Sequence, residues 1–164
     1  MTQTRNDNRH RLVSCQWLAQ RLNDPNVRTI EVTASPEGES YRESHIPGAA
    51  WWFWKDALWH SSDREFATPV EMAERPGSIG AGPETTVVLY REPVPYGTYA
   101  FWVMTMAGHR DVRILDGGRK RWIADRLAMT AKKPSFKSVE YPAAVADVSS
   151  LLGRDDVRDH LSEP

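Results

Sequence analysis

The sequence predicts an α/β domain built on a mostly parallel central sheet with helices on both faces. Three observations carry that prediction. Thr85-Thr86-Val87-Val88-Leu89-Tyr90 is a nearly continuous β-branched and apolar run, as expected of an internal parallel strand covered on both sides. A helical stretch follows, with an apolar flank of Ala100, Phe101, Val103 and Met104, and then a second short strand, Val112-Arg113-Ile114-Leu115. Strand, helix, strand, helix with short connections is the pattern of a parallel sheet.

Each element can be justified in order. Residues 1–11 are polar and read as a disordered tail. Ser14 stands where an N-cap should be, ahead of Trp17, Leu18 and Leu22 at helical spacing. That helix should end near Asn23, because Asp24-Pro25-Asn26 is a turn sequence. A short β-type run around Thr29-Ile30 comes next, then a loop with Pro36 and Gly38, and a helical turn over residues 41–44. His45-Ile46-Pro47-Gly48-Ala49 makes a sharp entry into the apolar segment Ala50-Trp51-Trp52-Phe53. Thr68, Pro69 and Glu71 together mark a helix N-terminus, and Pro76-Gly77 should break that helix. The next helix is expected over residues 98–107, with Gly108 as its C′ residue. Asp116-Gly117-Gly118 turns the chain into a last helix carrying Trp122 and Ile123. Residues 130–147 read as a linker, and Leu151, Leu152, Val157 and Leu161 beyond it suit a one-sided helix.

Composition narrows the functional classes. The chain has 164 residues, of which a single domain can bury roughly 70% of the unfolded surface. With 21 Lys and Arg against 22 Asp and Glu, it lacks the basic bias of a nucleic-acid binder. No run approaches the ~18 apolar residues of a membrane span, and the polar first residues predict no secretory signal. One cysteine excludes an internal disulfide framework and a Cys-cluster zinc site. It also fits a reducing, cytoplasmic compartment. No metal or cofactor is expected, and neither nucleic acid nor membrane is an expected partner.

Three motifs, in this order, carry a resemblance: His45-Ile46-Pro47-Gly48-Ala49, then Thr86-Val87-Val88-Leu89-Tyr90, then the run from Gly108 and His109 to Asp116-Gly117-Gly118 with Trp122. Together they resemble a rhodanese-type domain, and most closely the N-terminal half of a two-domain thiosulfate or 3-mercaptopyruvate sulfurtransferase. On that resemblance residues 12–129 form the rhodanese-like domain. Residues 130–147 then link it to residues 148–164, the opening of a second one. The motif residues fit structural roles: Pro47 presets φ, Gly48 permits close backbone approach, and Gly117-Gly118 allow a hard turn. His45 and His109 are expected to cap or bind turns rather than to act as acid–base groups.

The resemblance implies a nucleophilic cysteine directly after the central strand, with a loop of backbone N–H groups and a helix N-terminus around its persulfide. Here that position is Arg91, followed by Glu92-Pro93-Val94-Pro95-Tyr96-Gly97. Two prolines remove two N–H donors, and Glu92 opposes an anionic substrate. Cys15, the only thiol, stands at the start of the first helix and is expected to be a spectator. Glu31-Val32-Thr33 replaces the family's Asp-x-Arg at the end of the first core strand, so any pair made by that Arg is lost.

No catalytic residue is therefore expected in this chain, which would scaffold the active half of a larger sulfurtransferase. A second possibility is a free-standing inactive module for protein binding or regulation. A third is an unrelated doubly wound domain binding a phosphorylated ligand, against which stands the absence of G-x-G-x-x-G or P-loop patterns. Arg91 and Arg119 could serve as anion contacts in any of these settings. The dense aromatic region from Trp51 to Trp59 should bury alternate members, and the rest would meet a second rhodanese domain or another copy of the chain.

Overall fold

The computed structural model describes residues 11–59, 67–91, 95–142 and 158. Most of the tail expected over residues 1–11, and all but Arg158 of the second-domain opening expected over residues 148–164, lie outside the described residues. Glu92, Pro93 and Val94 do so too.

The order of elements is β1 (Leu12–Val13), α1 (Cys15–Ala19), β2 (Val27–Thr33), α2 (Glu39–Glu43), β3 (Ala50–Phe53), α3 (Trp54–Leu58), α4 (Pro69–Ser78), β4 (Thr86–Tyr90), α5 (Pro95–Met106), β5 (Val112–Leu115) and α6 (Gly118–Ala124). The five strands form one sheet in the order β1-β5-β4-β2-β3, and every pairing in it is parallel. Alternation along β4 feeds two cores. Val87 and Leu89 pack with Ala57 and Leu58 of α3, Met72 of α4 and Ala100, Val103 and Met104 of α5. Val88 and Tyr90 pack on the opposite face with Leu18 of α1 and Trp122 of α6. The α/β class with a mostly parallel sheet and helices on both faces is the observed architecture.

Local chemistry sets the element ends. The Ser14 hydroxyl accepts from the Trp17 N–H and starts α1 as expected. The α-helix stops at Ala19 rather than near Asn23, because the Arg21 N–H reaches only back to the Leu18 carbonyl and tightens the chain into turns. Thr68 and Glu71 form a full capping box on α4. That helix runs through Pro76 to Ser78 instead of breaking. A proline in the last turn forfeits one bond, and the chain closes behind it through Ile79 N–H to Pro76 O and Ala81 N–H to Pro76 O. Helix α5 opens three residues before Thr98, with Pro95 in the first turn, where a missing N–H costs nothing. It ends in a Schellman pair, Gly108 N–H to Thr105 O and His109 N–H to Met104 O.

The Ala49 N–H bonds the Ile46 carbonyl across Pro47-Gly48. Proline followed by a residue of positive φ is a type II order, and Gly48 has φ +77°. The glycine is needed for that φ and not for close approach, since a Cβ there would meet nothing nearer than 3.9 Å. In β3, Ala50 and Trp52 are buried while Trp51 and Phe53 are half-buried, the expected alternation. Trp51 lies across Gly38 and donates to Thr33 Oγ1 at 2.8 Å. Trp54 packs edge-to-face on Trp59 with centroids 5.4 Å apart, and Trp59 Nε1 donates to the Tyr99 hydroxyl at 2.9 Å.

Candidate functional site

Successive helices leave the sheet in opposite directions at one place. After β4 the chain crosses to α5 on one face, and after β5 it turns to α6 on the other. In open parallel sheets the crevice outside the carboxyl ends of two such strands is the usual ligand position. A cavity of about 270 Å³ occupies it here. It is lined by Leu89, Tyr90 and Arg91 from the end of β4, Gly97 and Thr98 from the first turns of α5, and Asp116 and Gly117-Gly118 at the entry to α6, with Leu12, Ile114 and Leu115 completing the wall.

Arg91 occupies the edge of this crevice directly after β4. Its guanidinium stacks 4.6 Å over the Tyr96 ring, and burial pulls its pKa down from the ordinary arginine value. Its carbonyl is packed against Gly118, where a Cβ would come within 2.6 Å of that oxygen. The hard turn at Gly117-Gly118 is thus a requirement of close packing between the two strand ends. Of the loop that follows Arg91, Pro95 and Tyr96 belong to α5. Among the described residues no cluster of three His, Cys, Asp or Glu side chains could hold a metal ion.

Residues 14–125 match the family of the Rhodanese-like domain. The chain belongs to that family. It is 36% identical over 151 residues to the sulfur carrier protein TtuD of Thermus thermophilus, covering 92% of this chain and 52% of that protein. It is 32% identical over 133 residues to a thiosulfate sulfurtransferase of Corynebacterium glutamicum, covering 80% of this chain and 44% of that one. Among solved structures it superposes with a TM-score of 0.74 on SseA from Escherichia coli, described as a 3-mercaptopyruvate sulfotransferase. That match has 25% identity over 94% of this chain and 62% of the other. The chain spans about half the length of the curated relatives it matches.

In this rhodanese-like domain the crevice brings Arg91, Tyr96, Asp116, Gly117 and Gly118 together, and Trp122 lies behind them, fully buried, donating through Nε1 to the Ala128 carbonyl at 2.9 Å. His45 and His109 lie elsewhere. His45 is 1% exposed, with Nδ1 2.8 Å from the Tyr41 carbonyl and its ring stacked on Tyr41. His109 is 4% exposed, with Nε2 2.8 Å from the Thr85 carbonyl. Both bind main-chain carbonyls. Cys15 is buried in α1 with Sγ 3.8 Å from the Asp116 carbonyl; burial pushes the thiol pKa up, and Asp125 and Asp116 add to that more than Arg121 offsets. A neutral thiol is a poor nucleophile.

A buried polar network escaped the sequence-based expectations. Glu31, 1% exposed in the middle of β2, accepts from the Tyr90 hydroxyl at 2.6 Å and lies 3.4 Å from Arg119 Nη1. The same hydroxyl accepts from the Ile46 N–H at 3.1 Å. Arg119 also donates to the Ser44 carbonyl, Ser44 Oγ and the Ser40 carbonyl. Its guanidinium is therefore a strut between α6 and α2, not a free anion contact. Burial raises the Glu31 pKa, against the lowering effects of the Tyr90 bond and Arg119. A glutamate flanked by Ile30 and Val32 is the one signal in the sequence that could have revealed the network.

Proposed function

We propose that this chain is the half of a two-domain thiosulfate or 3-mercaptopyruvate sulfurtransferase that does no sulfur chemistry itself, the N-terminal partner that scaffolds the active half. The observation that carries this proposal is the residue delivered to the crevice by β4. A persulfide mechanism needs a thiolate there, and the chain supplies Arg91, stacked on Tyr96 with its carbonyl wedged against Gly118. The only thiol is buried on α1 with a raised pKa. The names of the relatives and the half-length match support the same proposal.

In the whole protein a cysteine of the other half would take sulfane sulfur from the donor as a persulfide and pass it to a thiophilic acceptor. Residues 12–129 would be the silent domain, residues 130–147 the connection, and residues 148–164 the opening of the active one. The half-buried aromatic face around Trp54 and Trp59 would meet that second domain, or a second copy of the chain, in the cytoplasm. The test is cyanolysis: thiosulfate and then 3-mercaptopyruvate are offered with cyanide to the chain alone, and to the chain joined to any domain that follows it in its reading frame. Thiocyanate formation by the longer protein alone is the expected result. Turnover by the 164-residue chain would overturn the proposal.

A further inference from the structure

Both histidines buried among the described residues, His45 and His109, touch one segment, residues 130–142, which has almost no regular structure yet is fixed against the domain along its length. At its near end Thr130 and His45 exchange main-chain bonds, His45 N–H to Thr130 O at 2.8 Å and Thr130 N–H to His45 O at 2.9 Å. His45 Nε2 also lies 3.2 Å from the Lys132 carbonyl. In the middle Phe136 packs against the core on the α5 face. The carbonyls of Lys137 and Val139 press on Gly80 and Gly77 so closely that a Cβ would meet them at 2.9 and 2.8 Å. The Val139 N–H returns a bond to the Gly77 carbonyl at 2.9 Å. At the far end the Tyr141 hydroxyl is 2.6 Å from His109 Nδ1.

The far end has only one tautomer available. The Thr85 carbonyl can only accept, so His109 Nε2 carries the proton. Nδ1 is then the bare nitrogen, and the Tyr141 hydroxyl donates to it. This pairing satisfies both nitrogens of the neutral imidazole, whereas a protonated ring would turn the Tyr141 hydroxyl into an acceptor at Nδ1. Burial lowers the pKa of His109, and the Thr85 bond, Asp111 and Glu84 only partly offset that effect. Of the charged groups facing this corner, Asp111 is held by Arg113 and Thr86, and Glu84 is paired with the exposed Arg110 at 2.6 Å. Burial raises the Tyr141 pKa, so its hydroxyl remains a donor throughout the range in which histidine titrates.

We propose that residues 130–142 are a strap latched at its far end by Tyr141 and His109, and that the latch opens as the medium acidifies. The sign follows from linkage. Freed of the strap, His109 meets water and binds protons near the ordinary value of about 6.5. Docked, it binds them only at lower pH, so the released state holds more protons and gains on the docked state as pH falls through that window. The closed latch fixes the direction in which the chain leaves the domain at Pro142, and opening it frees that direction. This inference does not depend on the silent-half assignment, which can fail in a cyanolysis assay while the latch stands.

The test is amide hydrogen exchange on the 164-residue chain, corrected for the intrinsic pH dependence of exchange, with Leu89 of β4 as the internal reference. Protection of the Val139 amide should fall relative to Leu89 on acidification, by up to about tenfold for each unit by which docking lowers the histidine's pKa. His109→Gln, whose amide offers a donor and an acceptor but does not titrate, should hold the strap with no such dependence. In a separate NMR titration, Tyr141→Ala should move the His109 transition up towards the ordinary value. A Val139-to-Leu89 ratio flat with pH would overturn the proposal, as would a His109 transition unchanged in Tyr141→Ala or a pH dependence surviving in His109→Gln.

Discussion

Replacing Tyr90 by Phe removes one oxygen from a fully buried position and leaves the ring packing intact. That oxygen has two partners. It accepts from the Ile46 N–H at 3.1 Å and donates to Glu31 at 2.6 Å, and both Ile46 and Glu31 are inaccessible to water. An orphaned buried N–H costs about 1–3 kcal/mol, and a lost bond to a charged acceptor about 1.5–3 kcal/mol. The sum is on the order of 3–5 kcal/mol, a large share of the roughly 5–15 kcal/mol that holds a typical domain together. For a chain of this size each kcal/mol lowers Tm by about 2–4 °C, so Tyr90→Phe should melt at least ~6 °C early.

The loss should also depend on pH, with a definite sign. Burial already raises the Glu31 pKa in the folded state, so the fold prefers this carboxyl neutral and loses stability from that group as pH rises through the folded value. The Tyr90 bond favours the charged form. Without it the folded pKa climbs further, and the variant pays the larger penalty wherever Glu31 should be ionised. The gap between wild type and Tyr90→Phe should therefore be narrow near the ordinary carboxyl range, about pH 4, and wide at neutral pH. Urea unfolding at the two pH values reads it directly. In a Glu31→Gln background the same substitution should cost less, about 1.5–4.5 kcal/mol, and show no pH dependence, because the Ile46 N–H is still orphaned but the second bond lost is to a neutral acceptor. A Tyr90→Phe loss below ~1 kcal/mol, or one equal at both pH values, would refute the network as an energetic unit.

Arg91→Cys should give no sulfur transfer to cyanide, because a thiol alone does not replace the packed Arg91 edge and its proline-bearing loop; measurable thiocyanate from that variant would sink the silent-half assignment. Trp122→Ala empties a fully buried site and removes the donor to Ala128, so urea unfolding should show a loss of roughly 3–5 kcal/mol. The chain without a partner domain should associate through its aromatic face, and light scattering of a dilute sample that returned only monomer would count against that contact.

The fold was legible because its signals are local and repeated. Thr86-Val87-Val88-Leu89-Tyr90 could hardly be anything but a covered strand, and its alternation divides the two cores as the pleat requires. Ser14 and the Thr68–Glu71 box announce helix starts through side chains that reach three residues along. Helix ends were less legible. Pro76 reads as a breaker, but whether it breaks depends on how much helix remains to be lost, and here only Gly77 and Ser78 remain. Strand β1 is only Leu12–Val13, held by its register with Ile114 and Leu115, and two residues carry no periodicity of their own.

The site was legible only where the chemistry is local. That Arg91 stands after the central strand can be counted along the chain. That its carbonyl is wedged against Gly118, twenty-seven residues on, cannot, and this packing makes the edge of the crevice rigid. The two histidines show the same limit. Sequence patterns assign them turns; His45 binds the Tyr41 carbonyl four residues back, while His109 binds the Thr85 carbonyl twenty-four residues back. Their second nitrogens face Lys132 and Tyr141, in a stretch whose prolines and lysines mark it as a connector. A connector is recognised by lacking an apolar period, and that lack says nothing about discrete polar contacts made at its ends. Two hydrogen-bonding nitrogens on one buried ring can join the body of the domain to a distant irregular segment, and that second partner leaves no trace in the order of residues.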